Sequence, residues 1–531
     1  MVKVFLLKME IAFWVSFFIS SSLVAQQLPV TPFSLDEDLR YLQLRGQLNS
    51  EVSLTVRPTM PEKRFTIDSF YKHMCFTWQE KAKWSNVNFL GKAGKLRILP
   101  TSFLLKMNSR NPYGWSDGAL MPVAGFQTLI STGVFLQTGP LVIQARPEFL
   151  VAANPTYPTT PYFGAKTDRS QVKRFFPGQS KIELGAGPIA LALSSENLWW
   201  GPGQYSSLMM TNNAPGFYHL RFNSRRPLRT SIGNFEWNLI AGRLEDVSEQ
   251  PDEILQLNYF GDIYGWNKPY WKYLNAVVLA YQPSFLKGLY LGATRSFISS
   301  GTNVSDSLVK KDGVFRAYLP VFADFFKSNL VNEDQRQWNQ LISLFMRQLF
   351  QKANAEIYFE YGWNDHKYNI RDLMMSPFHS ASYMAGYKKL FRLPKNRWLE
   401  FSGELTQMEQ SPDYLVRGAG NWYVHSFNSN YNHYGQILGS GIGYGSNSII
   451  AAASIRKGPD FIGVVFERVK RDPNVYIERW TDWGLGINFR KTFGPFWIQS
   501  KLTGVQSVNY GWVKDKNHYN FSSVVSLNYC W

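Results

Sequence analysis

The sequence predicts an all-β chain, an antiparallel transmembrane outer-membrane β-barrel of about 18 strands with a small, partly helical N-terminal periplasmic element. Three observations carry that prediction. The chain closes on Tyr519 to Trp531, where Tyr519, Phe521, Val525, Leu527, Tyr529 and Trp531 alternate with Asn520, Ser522, Ser526 and Asn528. This is a period-two strand with one apolar face and an aromatic residue at its end, as a barrel requires where its last strand meets lipid. The chain opens on Lys3 and Lys8, an apolar run from Ile11, and the small-residue exit Ser20 to Ala25, the pattern of a secretory signal peptide cut after Ala25. Composition is the third: aromatics are 16% and charged residues 18% of the chain, against the roughly 25% charged usual for globular proteins. Interfacial girdles need Trp and Tyr, and a wet lumen is served by Ser, Asn, Gln and Gly.

The elements follow in order. Residues 1–25 are the signal peptide. Residues 26–94 alternate poorly, and Asp36 to Leu48, with acidic residues in the first turn, reads as a helix within a periplasmic element. Residues 95–531 form the barrel, which at roughly 24 residues per strand and connection gives about 18 strands. Within it, Leu399, Phe401 and Leu405 interleave with Glu400, Ser402, Glu404 and Thr406. Ile357, Phe359 and Tyr361 interleave with Glu356 and Glu360, and Trp483, Leu485, Ile487 and Phe489 with Asp482, Asn488 and Arg490. Carboxylates on one face and apolar groups on the other suit lumen and lipid. Gly139-Pro140, Gly187-Pro188, Gly458-Pro459 and Gly494-Pro495 read as tight hairpin corners. Long polar connections at 154–180, 195–220, 362–380 and 408–447 read as outer loops, since in such barrels short turns face the periplasm.

The net charge of +17 on an exported chain points to acidic lipopolysaccharide or an acidic polysaccharide and away from nucleic acid. Lys166, Arg169, Lys173 and Arg174, and Arg221, Arg225 and Arg226, are expected in outer loops. Cys75 and Cys530 are the only cysteines; they are a candidate disulfide tying the N-terminal element to the periplasmic end.

Enzyme chemistry finds little support. Glu404, Glu409 and Asp413 could pair as glycosidase acid and base, but Glu404 sits on the polar face of a strand. His379-Ser380 and His425-Ser426 place a base beside a hydroxyl, yet neighbours on a strand point to opposite faces. His366, His379, His425 and His433 lack metal-ligand spacing, and Gly439 to Gly445 lacks the context of a phosphate loop. The reading is a non-enzyme without cofactor or metal.

The densest motif is Glu196-Asn-Leu-Trp-Trp-Gly-Pro-Gly-Gln204, followed by Met209 to Pro215 and Arg221 to Pro227. With Phe235-Glu236, Gly242 to Glu245, Glu360-Tyr361, Asn364-Asp365, and the stretch from Trp422 to Asn447, it resembles the Wzi-type capsule-assembly family of outer-membrane proteins, in the form common in Bacteroidetes. Tyr444 departs from that pattern, where Pro is expected between the glycines.

The resemblance spans roughly residues 120–531 and implies a lectin-like barrel that binds capsular or extracellular polysaccharide and assists its assembly or attachment. The candidate polysaccharide-binding residues are Trp199, Trp200, Asn213, Arg225, Glu360, Asp365, Glu404, His425 and His433. Indole faces stack on sugar C–H surfaces, and carboxylates and amides bind hydroxyls. Further expected partners are outer-membrane lipid, lipopolysaccharide and the barrel-assembly machinery. The alternatives are an outer-membrane channel for saccharides or other small solutes, and a barrel hydrolase.

Overall fold

The computed structural model describes residues 30–33, 35–58, 86–89, 94–153, 171–245, 271–301, 317–322, 338–364, 369–411, 422–424, 430–474 and 477–531. Among them, eighteen strand positions close into one antiparallel barrel. The first strand, Gly94–Asn108, and the last, His518–Tyr529, make the seam, with Thr101 to Asn108 facing Tyr529 to Ser522. Trp531 Nε1 donates to Thr101 Oγ1 at 3.0 Å and fastens its lower end.

Side chains alternate as the sequence predicts. Phe103, Leu105 and Met107 face outward and are exposed, while Leu104, Lys106 and Asn108 are buried within. Ile357 and Phe359 point out while Glu356 and Glu360 point in, and Trp483, Leu485 and Ile487 point out while Asp482 and Arg490 point in. The outer face is thus an apolar band suited to lipid.

Each of the four Gly-Pro pairs forms a two-residue hairpin. Gly139, Gly187, Gly458 and Gly494 have φ of 54°, 60°, 61° and 55°, the positive value that a two-residue turn opening on glycine demands. All four lie at one end, together with the chain terminus: Cys530 N donates to Pro495 O at 2.8 Å. Two wall positions are broken in the middle, between Leu141–Ala145 and Glu148–Ala152 and between Val172–Phe176 and Lys181–Ala186. Pro147 and Pro177 fall in these breaks, and neither can donate to the ladder.

The helix Asp36–Leu44 ends short of Leu48. Gly46 adopts φ 70°, and Gly46 N and Gln47 N donate to Gln43 O and Leu42 O, a Schellman closure that stops the helix. It lies inside the barrel mouth at the Gly-Pro end. Leu35, Leu39, Leu48, Val52 and Leu54 pack on Trp497 and Cys530; Tyr41 and Leu44 pack on inward Tyr290, Leu349, Leu390 and Trp398. Amphipathic on two sides, it serves as a plug with the wall around it.

Candidate functional site: the filled lumen

The wall strand Ile189–Ser194 is six residues long, after which the chain turns inward and returns only at His219–Ser224. The intervening segment carries the Trp-Trp-Gly-Pro-Gly motif into the bore. There Trp199 and Trp200 pair antiparallel with Arg57 and Val56 of the N-terminal segment. Trp200 is fully buried among Leu198, Leu208, Met209, Met210, Phe217, Trp422 and Tyr423 and the inward wall residues Ile240, Leu274, Val278, Leu341 and Phe345. The bore thus holds a hydrophobic core of its own.

Charged side chains clamp the loop backbone from all sides. Glu404 accepts from Gln204 N at 2.7 Å and from Tyr205 N at 3.1 Å. Glu360 accepts from Leu208 N at 3.1 Å and Ser207 Oγ at 3.2 Å. Arg40 donates to Pro202 O at 2.8 Å, Arg57 to Gly203 O at 2.9 Å. Gly201 has φ 114°, and a Cβ on it would meet Ser207 Oγ at 2.6 Å and Glu360 Oε2 at 2.9 Å; the turn therefore requires glycine. Buried backbone groups without water must find such partners.

The helix is held by a second ring of charges. Asp38 receives Arg490 Nη1 at 2.7 Å and pairs with Arg456. Arg40 reaches Glu356 at 2.7 Å, Arg347 reaches the same carboxylate at 2.5 Å, and Lys388 bridges Glu37 at 3.2 Å and Glu400 at 2.7 Å. Burial pushes the Asp38 carboxyl upward, but Arg490 and Arg456 outweigh it and hold it below its ordinary range. Arg57 makes no ion pair among the described residues; burial pushes it down to about 10, and the Asp36 carboxylate opposes the shift.

The structure places the described candidate residues in and around the bore. Trp199, at 5% exposure, lies under the Arg57 guanidinium at 4.6 Å, and Trp200 has no exposed face in this structure, an arrangement that suits a brace of the plug. Asn213 is buried and joins two loops, accepting from Ser116 N and donating to Ile437 O, each at 2.9 Å. Arg225 is not in an outer loop. Because the strand before it is short and starts mid-wall, Arg225 reaches the Gly-Pro end, where its N donates to Pro188 O and its Nε pairs with Glu183 at 2.9 Å. Arg221 points into the bore toward Glu196 at 3.1 Å. His433 is buried, accepts from Glu245 N at 2.9 Å and packs by Phe217. Tyr444, the departure from the family pattern, is buried in the bore core and accepts from Asn432 Nδ2 at 3.3 Å. Asp365, His425 and Cys75 lie outside the described residues; Cys530 is disulfide-bonded. The residues that sequence reasoning missed are Arg40, Arg57, Arg347, Lys388 and Arg456, whose only signal is their inward phase or their place beside the helix.

Between the helix below and the loop Tyr113 to Asp117 above, a chamber of about 240 Å³ remains against the wall. Trp115, Trp199, Tyr205, Arg57, Arg456 and Lys501 line it. Buried polar atoms without protein partners, Trp199 Nε1, Arg57 Nε, Gln204 Oε1 and Asn488 Oδ1, belong to lining residues, which makes the chamber polar enough for solvent.

The chain is similar to several solved structures and to one family model. The solved structure of Escherichia coli Wzi, an outer-membrane protein involved in group 1 capsule assembly and a carbohydrate-binding β-barrel, aligns at a TM-score of 0.62 with 12% identity, covering 95% of this chain and 100% of that one. Pseudomonas aeruginosa OpdQ aligns at 0.41 with 10% identity over 82% of this chain and 97% of that one. Acinetobacter baumannii OccAB1 aligns at 0.41 with 7% identity over 84% and 98%. No curated protein matches. The family model described as capsule assembly protein Wzi matches residues 133–514, and the chain therefore belongs to the Wzi capsule-assembly family of outer-membrane β-barrels.

Proposed function

We propose that this barrel binds surface polysaccharide and assists capsule or exopolysaccharide assembly or attachment, as a non-enzymatic, lectin-like protein. The observation that carries the reading, given the family, is the occupied bore. The inward loop shares an apolar core with the wall, and the helix is joined to the wall by ion pairs and by two apolar clusters of its own, an arrangement that favours binding at an outer surface over passage through the bore. Among the described residues the same filling of the bore argues against the channel alternative. Of the sugar contacts read from sequence, we retain Asp365 and His425 as candidates. We also propose that the mature chain starts after Ala25, that residues 26–94 form the periplasmic-end element and that residues 95–531 form the barrel. The barrel-assembly machinery is its proposed route into the membrane.

The test has two arms on refolded protein. Binding to capsular glycans on an array, with no swelling of protein-bearing liposomes in sugar solutions, is the expected result. Solute-dependent swelling without glycan binding would favour the channel. Turnover of a bound glycan would favour a hydrolase.

A further inference from the structure

On the lipid side of the wall, near the loop ends of four strands, Phe466, Leu485, Gly504 and Phe521 are cross-strand partners in turn. Phe466, Leu485 and Phe521 are exposed there. Gly504 interrupts the row. A Cβ at this position would meet only Leu485 O, at 3.9 Å, so neither crowding nor a turn calls for glycine. The gap is the floor of a groove of about 640 Å³ walled by Trp483, Leu485, Tyr519 and Phe521.

One step toward the loops, Arg468, Trp483, Gln506 and Tyr519 form the next row. Gln506 Nε2 donates to Tyr519 OH at 3.4 Å, and the Arg468 guanidinium lies 5.3 Å from the Trp483 ring centre. Lys470, nearer the loops, is paired with Glu409 at 3.4 Å. Arg468 has no carboxylate partner among the described residues, and its Nε has no hydrogen-bond partner. A cation on the lipid face is costly unless it meets an anion at headgroup depth, and a guanidinium matches phosphate oxygens in a bidentate fork. The groove is continuous with the lipid-facing band, which fixes its occupant as a lipid. The charge beside it selects an anionic one.

We propose that this groove binds one phosphorylated outer-leaflet lipid, with an acyl chain lying over Gly504 between Leu485 and Phe521 and a phosphate on Arg468. The Trp483 and Tyr519 rings flank the passage from chain to headgroup.

The full chain, refolded into phosphatidylethanolamine vesicles with or without lipid A and extracted in mild detergent, can be weighed by native mass spectrometry. One retained lipid A per barrel is expected, in clear preference to phosphatidylethanolamine. Arg468→Gln is expected to lower that retention about ten-fold, the loss of a charge-assisted hydrogen bond. Gly504→Phe, which fills the groove, is expected to abolish it while the barrel stays heat-modifiable. Unchanged lipid A on Arg468→Gln, or equal retention of phosphatidylethanolamine by the parent, overturns the proposal. Arg468→Gln decides alone if Gly504→Phe fails to insert.

Discussion

Arg40 and Glu356, 316 positions apart in the chain, share two hydrogen bonds: Arg40 Nε and Nη2 donate to Glu356 Oε1 at 3.0 and 2.7 Å. Both side chains are fully buried. The pair joins the N-terminal helix to the wall at the level where Arg40 also holds Pro202 O.

Arg40→Met is accordingly expected to loosen the plug without opening the wall. Arg347 still answers Glu356, so the loss should fall below the roughly 3–5 kcal/mol of an isolated broken pair. A lower temperature for the heat-induced gel shift, with normal membrane insertion, checks it.

Trp200→Ala removes one of the largest buried side chains in the bore and should cost about 3–5 kcal/mol through the cavity it leaves. Trp199→Ala, at the chamber edge, should cost less. Comparing the two variants in the same gel-shift assay tests the brace role. Polymer release by a Trp199→Ala barrel of unchanged stability would instead restore that residue as a sugar contact.

Burial drives His433 down from 6.5 to about 3, with Lys272 and Arg174 adding to the effect. The depressed value means that the folded state excludes a proton which the unfolded state accepts. Its contribution is complete above pH 6.5 and is lost as pH falls from there toward 3. Protection of amides at 430–438, measured against the intrinsic exchange rate at each pH, should fall between pH 7 and pH 4, and His433→Gln should flatten that dependence.

Cys530 is disulfide-bonded, and we expect Cys75 to be its partner. Peptide mapping without reductant should yield a crosslinked Cys75–Cys530 fragment, and Cys530→Ser should cost about 2–4 kcal/mol. Two free thiols under denaturing alkylation would exclude the pair.

Sidedness is checked by labelling intact cells. A tag at Ser411, in a connection opposite the Gly-Pro turns, should be reached from outside, and one at Gly494 should not. The reverse result would invert the barrel.

The wall was legible in the sequence because a strand advertises itself locally: alternation at Tyr519 to Trp531 and glycine at Gly494 each need only their neighbours. The plug was not. Trp199 and Trp200 look alike as sugar platform or brace, and their place in the bore depends on Val56 and Arg57, more than 140 positions away in the chain. The acidic first turn of the helix reads as a dipole effect, yet Glu37 and Asp38 are answered by Lys388, Arg456 and Arg490. Arg225 was misplaced because nothing in Ile189 to Ser194 announces that the strand stops halfway and sends the chain inward.

The plug also carries a timetable. Asp38 has its partners on Asn447–Lys457 and Thr481–Phe493, so the earliest described helix cannot complete its ion pairs until some of the last strands stand beside it. Its docking comes late and depends on the seam between Gly94–Asn108 and His518–Tyr529 bringing those strands round. A protease site placed near Asn49 would then serve as a clock, cut while the ring is open and silent once it has shut.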